Sequence, residues 1–217
     1  MANHLFDLIL SSMPPRDRTF AILDDGRRVS YGDVRDASAR FANRLVATGV
    51  KPGDRVAAQV EKSIEAVMLY LACVRAGAVF LPLNTAYTPA EVEYFLTDAE
   101  PAVFVCDPAK AAVLAPVAAK AGARLETLGA KGDGTLAASA GVEPGSFADV
   151  PRGPDDLAAI LYTSGTTGRS KGAMLSHENL ASNARTLVDY WRFTDSDVLI
   201  HALPIYHTHG LFVATNV

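Results

Sequence analysis

Short apolar runs and longer amphipathic stretches alternate along almost the whole chain, and this alternation restricts the fold more than any other feature. Arg55-Val56-Ala57-Ala58-Gln59-Val60, Val79-Phe80-Leu81-Pro82-Leu83, Ala102-Val103-Phe104-Val105-Cys106 and Leu157-Ala158-Ala159-Ile160-Leu161-Tyr162 have the length and apolarity of buried strands. The stretches between them carry helix signals. Ser30 is followed three residues on by Asp33, a capping-box spacing; Val34, Phe41 and Leu45 then share a helical face, and Gly49 ends it. Ser63 caps a helix that runs to Gly77. Thr88-Pro89-Ala90-Glu91 combines an N-cap, a proline at the first helical position and a returning carboxylate. An alanine-rich helix follows Asp107-Pro108 and reaches about Gly122. A helix with Ser176 as N-cap is expected to run to Trp191, and a strand is expected over Val198 to Leu203. Lys51-Pro52-Gly53-Asp54 is a turn. The pattern predicts an α/β fold, with mostly parallel sheets covered by helices on both faces. Residues 129–156, rich in Gly, Pro, Ala and Asp, read as an irregular region and a possible subdomain transition. No internal repeat is visible.

With 217 residues there is material for one large domain or two small ones. The formal net charge of -4 gives no basic footprint for nucleic acid. Cys73 falls in a helical pattern and Cys106 in a strand pattern, so both are expected as buried packing residues rather than a disulfide or zinc pair. The N-terminus lacks the basic region of a signal peptide. The longest strongly apolar run, Ala66 to Val74, is too short to cross a bilayer. A cytoplasmic protein without membrane or nucleic-acid partners is expected.

The chemistry concentrates in Thr163-Ser164-Gly165-Thr166-Thr167-Gly168-Arg169-Ser170-Lys171-Gly172. Glycines let backbone approach a ligand closely, hydroxyls and N–H groups donate hydrogen bonds, and a lysine adds a mobile positive charge. Such a set can hold a polyphosphate, and it lies between an expected strand and an expected helix, where open α/β sheets bind phosphates. It is neither a Walker A loop nor a dinucleotide fingerprint. Only Thr166 and Thr167 separate Gly165 from Gly168, and Ser170 precedes the lysine. A polar surface loop rich in Gly and Thr is the plain alternative.

This segment resembles the T-S-G-T-T-G-x-P-K-G signature of the adenylate-forming, AMP-binding enzymes: acyl-CoA synthetases, adenylation domains and luciferases. It departs at Ser170, where proline is usual; serine loosens the loop without removing a phosphate contact. Three further stretches are similar to the same family: Val29-Ser30-Tyr31-Gly32-Asp33-Val34, Arg75-Ala76-Gly77-Ala78-Val79-Phe80-Leu81-Pro82-Leu83-Asn84, and Leu203-Pro204-Ile205-Tyr206-His207-Thr208-His209-Gly210. Within the family the chain looks most like the malonyl-CoA synthetases.

The resemblance implies an ATP-dependent acid–thiol ligase that forms an acyl-adenylate and then a coenzyme A thioester. ATP, Mg2+ and coenzyme A would be its cofactors and co-substrates, and malonate or methylmalonate the favoured small carboxylic acid. It implies phosphate contacts from Thr163, Ser164, Gly165, Thr166, Thr167, Gly168 and Lys171, with Lys171 the candidate catalytic residue, and a substrate-lining role for His207. It also implies that residues 1–217 are the N-terminal part of the large domain, because the Y-G-x-T-E and Y-x-T-G-D elements and the C-terminal lysine are not in this sequence. The chain alone is then expected to be inactive. An adenylation domain that loads a carrier protein, and a non-catalytic nucleotide-binding fragment, are the alternatives. His207 and His209 would share one face if their segment were a strand, a possible zinc arrangement with His201. No carboxylate or thiol lies nearby in sequence to complete it, so packing or substrate lining is the commoner role and no metal ligand set is assigned.

Overall fold

The computed structural model describes residues 2–163 and 170–217. An N-terminal helix α1 (His4–Ser12) leads into a two-stranded antiparallel ribbon of β1 (Thr19–Ile22) and β2 (Arg28–Ser30). The main sheet contains β3 (Arg55–Gln59), β4 (Val79–Pro82), β5 (Val103–Cys106), β6 (Arg124–Thr127), β7 (Leu157–Thr163) and β8 (Lys171–Ser176). Its six strands lie in the order β6-β5-β3-β4-β7-β8. All neighbours are parallel except β7 and β8, which form an antiparallel pair at one edge.

The parallel pairs are joined by helices, as parallel geometry requires. Helices α3 (Ile64–Ala76), α4 (Pro89–Ala99), α5 (Ala111–Lys120) and α6 (Thr135–Gly141) make these connections, while α2 (Tyr31–Ala47) precedes β3 and α7 (His177–Trp191) follows β8. Side chains alternate across the sheet and divide the core in two. Val56, Ala58, Phe80, Val103 and Val105 pack with α2, α3 and α6 on one face. Ala57, Leu81, Phe104 and Cys106 pack with α4 and α5 on the other. Helix α3 passes through the interior, with every residue from Ala66 to Ala76 buried, so it reads as apolar all round rather than amphipathic. Cys73 and Cys106 are both free and buried, as their patterns suggested.

The capping signals hold. Ser30, Thr88 and Ser176 each cap their helix in a reciprocal capping box, and Gly77 closes α3 in the left-handed conformation.

Four features depart from expectation. The first is β6, whose alternating Arg124-Leu125-Glu126-Thr127 has too little apolar content to announce a strand; its pairing with β5 makes it one. The second is α6, which forms inside residues 129–156. That stretch is pinned along α2 and α3: Arg40 donates to the Gly141 and Glu143 carbonyls at 3.1 and 2.6 Å, Asn43 to those of Pro144 and Ser146, and Arg75 pairs with Asp149 at 2.6 Å. The third is β8, which takes Lys171–Ser176 into the sheet where a loop running to the helix cap was expected. The fourth corrects the strand expected over Val198 to Leu203. No strand forms there, because no described strand pairs with the segment, and Val198 and Ile200 stand 90% and 87% exposed.

Candidate functional site

Strand β7 runs outward from the core through Ala158 and Ala159, both buried, to exposed Thr163 at its carboxyl end. The chain returns as β8 with Lys171 directly opposite Thr163 and Gly172 opposite Tyr162. Gly172 is there for space: a Cβ would lie 2.9 Å from Ile160 Cγ2. The first and last expected phosphate-holding residues, Thr163 and Lys171, therefore face each other at the mouth of one hairpin, both exposed. Ser164, Gly165, Thr166, Thr167 and Gly168 lie outside the described residues.

Aromatic residues from α4 support this hairpin from below. The Tyr94 hydroxyl donates to the Ser170 carbonyl at 2.8 Å. The Tyr162 hydroxyl bonds the Asp98 carboxylate. Phe95 lies between them, with ring centroids 4.6 Å from Tyr162 and 4.8 Å from Tyr87. Burial and the adjacent Asp98 carboxylate hold the Tyr162 phenol well above its ordinary pKa, so it stays a neutral donor. Sequence reading missed this platform. The one signal was the aromatic pair Tyr94-Phe95 in the capped helix that follows β4.

The other expected site residue, His207, lies in a turn, exposed, with its ring 4.6 Å from that of Tyr206. Buried Ile205 anchors the turn. Lys62, just beyond the end of β3, donates to the His201 carbonyl from below. Burial lifts the Tyr87 phenol pKa, aided by Glu91 and by the nearby Tyr206 phenol. The Tyr206–His207 turn thus gathers with residues that follow β3 and β4 at the carboxyl edge of the sheet, where Thr163 ends β7. The strand geometry that would place His207 and His209 on one face is corrected. Thr208 is helical in backbone and His209 opens a π-helical turn, His209–Val213. No group of three or more His, Cys, Asp or Glu side chains that could hold a metal ion occurs among the described residues.

Two described cavities lie elsewhere. One of about 440 Å³ sits between α1 and α7, lined by His4, Asp7, Leu8, Leu10, Ser11 and Arg185. Another of about 350 Å³ lies beside α2. Neither includes Thr163, Lys171 or His207.

Comparison with known proteins decides the family. Residues 11–217 match the AMP-binding enzyme family. The chain belongs to that family. The crystal structure of ATP-bound MatB from Rhodopseudomonas palustris superposes with a TM-score of 0.96 at 60% identity, covering all of this chain and 43% of MatB. A feruloyl-CoA synthase of Amycolatopsis is 38% identical over 88% of the chain and 37% of its own length. The mitochondrial malonate–CoA ligase ACSF3 of Bos taurus is 32% identical over 88% of the chain and 33% of its own length. The chain therefore spans about a third of the length of these curated relatives. No helix among the described residues is long and apolar enough to cross a membrane.

Proposed function

We propose that the complete protein is an AMP-forming acyl-CoA synthetase, that residues 1–217 form the N-terminal part of its large domain, and that malonate or methylmalonate is its acid. The observation that carries the reading is Thr163 facing Lys171 across a hairpin at the carboxyl edge of a parallel sheet, in a chain of the AMP-binding family. In the first step a carboxylate oxygen attacks the α-phosphorus of ATP, and pyrophosphate leaves. In the second the coenzyme A thiol, losing its proton, attacks the acyl carbon and AMP leaves. Thr163, Ser164, Gly165, Thr166, Thr167 and Gly168 supply donors to the β- and γ-phosphates. Lys171 offsets the charge that grows on the departing pyrophosphate, which is positioning and electrostatic stabilisation rather than covalent catalysis. His207, beside Tyr206, lines the acyl end. When bound with ATP, Mg2+ supplies further charge neutralisation; no residue of this chain is assigned to it.

The relatives at comparable identity are named for an aromatic acid and for a dicarboxylic acid, so the choice of acid rests on the overall resemblance and needs its own test. A second carboxylate requires a fixed polar partner, which an apolar acyl chain would leave unpaired. Specificity constants of the full-length enzyme for malonate, methylmalonate, acetate, benzoate, ferulate and octanoate should favour the first two. Preference for an aromatic or long-chain acid would keep the ligase and overturn the acid. Thioester formation on a carrier protein in place of coenzyme A would overturn the ligase.

A further inference from the structure

Strand β8 is an edge strand, held on one side by β7 and, among the described residues, paired on the other with no strand. Its first residue carries the cation of the candidate site. An edge strand entered from a polar loop frays from its end unless something else fixes it. Ser170, immediately before Lys171, leaves its own φ free where a proline would lock it. The constraint present instead is the Tyr94 hydroxyl, which donates to the Ser170 carbonyl at 2.8 Å from a different element.

Tyr94 is well placed to hold that carbonyl still. It stands on α4, whose Val92, Phe95 and Leu96 are buried against the sheet. Its ring meets Phe95 edge-on at 5.4 Å and Tyr162 at 6.4 Å, so the ring has defined neighbours on two sides. The tyrosine also bridges the two sides of the hairpin, packing on Tyr162 of β7 while bonding the residue that precedes β8.

We propose that Tyr94 is a positioning residue for Lys171. It fixes the peptide preceding the lysine and so aims the ammonium at the phosphate chain of ATP. The proposal rests on the reading of this hairpin as the phosphate-holding element. Tyr94 touches no reacting atom itself; it acts through the Ser170–Lys171 peptide.

The test uses the full-length enzyme with Tyr94→Phe, which keeps the ring and removes only the hydroxyl. Turnover should fall about fivefold, the equivalent of one ordinary hydrogen bond, while the KM for the carboxylic acid stays within about twofold. Ser170→Pro locks the φ of the residue that carries this carbonyl, so the turnover penalty of Tyr94→Phe should shrink in that background. Unchanged turnover, a rise in the KM for the carboxylic acid as large as the loss of turnover, or the same turnover penalty in the proline background would each overturn the role. A lower melting temperature with no change in turnover assigns Tyr94 to stability alone and also overturns it. A wild-type enzyme without ATP-dependent turnover would overturn the function and this role together. Turnover with an unexpected acid leaves the Tyr94 test intact.

Discussion

Gly210 shows how a single backbone position constrains the site. A Cβ there would sit 2.0 Å from the Pro204 carbonyl oxygen, and backbone cannot step aside as a flexible side chain can. Its φ is not in the left-handed region, so the requirement is for space rather than freedom. Gly210→Ala should therefore push the Pro204–His207 turn outward. We expect a loss of about 1–3 kcal/mol in stability by urea titration, as for other overpacked sites, with a raised KM for the acid and little change in that for ATP. Lys171→Ala should act on turnover instead. Removing a charge that acts as pyrophosphate leaves costs on the order of 3 kcal/mol, about a hundredfold in turnover, with the KM for the acid nearly unchanged. Steady-state kinetics on the full-length enzyme separates the two, and unchanged turnover would remove Lys171 from the mechanism. Lys171 could be named as a candidate from the sequence because its chemistry and its spacing from the glycines are local. Tyr94 could not, because the group it holds lies 76 residues away along the chain.

Helix starts were legible for the same reason, since a capping box closes within four residues. Strands were less so. Residues Lys171–Ser176 open on a lysine and a glycine and carry only the short apolar run Ala173-Met174-Leu175, yet they pair along the whole of β7. Val198-Leu199-Ile200 is strongly apolar, yet it pairs with nothing described. Pairing depends on a neighbour, and a neighbour is a tertiary fact. The clasp between α1 and α7 is another element-scale property. The Leu5 N–H donates to His177 Nδ1 at 3.4 Å, and His4 Nε2 lies 2.6 Å from Glu178 Oε2. His177 is fully buried, with its Nε2 unpartnered. Burial first, then the Arg152 charge and His4, push its pKa down to about 4, opposed by Asp156. Because the folded pKa lies below the unfolded value near 6.5, the unfolded chain binds more protons between them. Stability from a neutral His177 is thus complete above about pH 6.5 and lost as pH falls to about 4, on the order of 3 kcal/mol in all. Urea midpoints between pH 7 and pH 4 should fall more steeply for wild type than for His177→Gln. Parallel slopes would show that another group dominates.

Over the whole molecule, Met174, Tyr190, Trp191, Val198, Leu199, Ile200 and Leu203 are all large, apolar and at least half exposed, and β8 presents an edge that pairs with no strand among the described residues. Residues 1–217 expressed alone should therefore bind a hydrophobic dye and self-associate with rising concentration, while the full-length enzyme should do neither. Sedimentation and dye fluorescence on both proteins check this; a monomeric, dye-silent 1–217 chain would show that the face is tolerated in water. The α/β class, the capped helix starts and the composition of the candidate phosphate-holding loop were determined by sequence alone, because apolar period, caps and glycine spacing act over a few residues. The tertiary structure decided the strand order, the hairpin that sets Lys171 opposite Thr163, the aromatic support beneath it and the fate of residues 198–203. Each of those depends on which distant segment supplies a hydrogen-bonding edge or a packing face, and no local pattern encodes that choice.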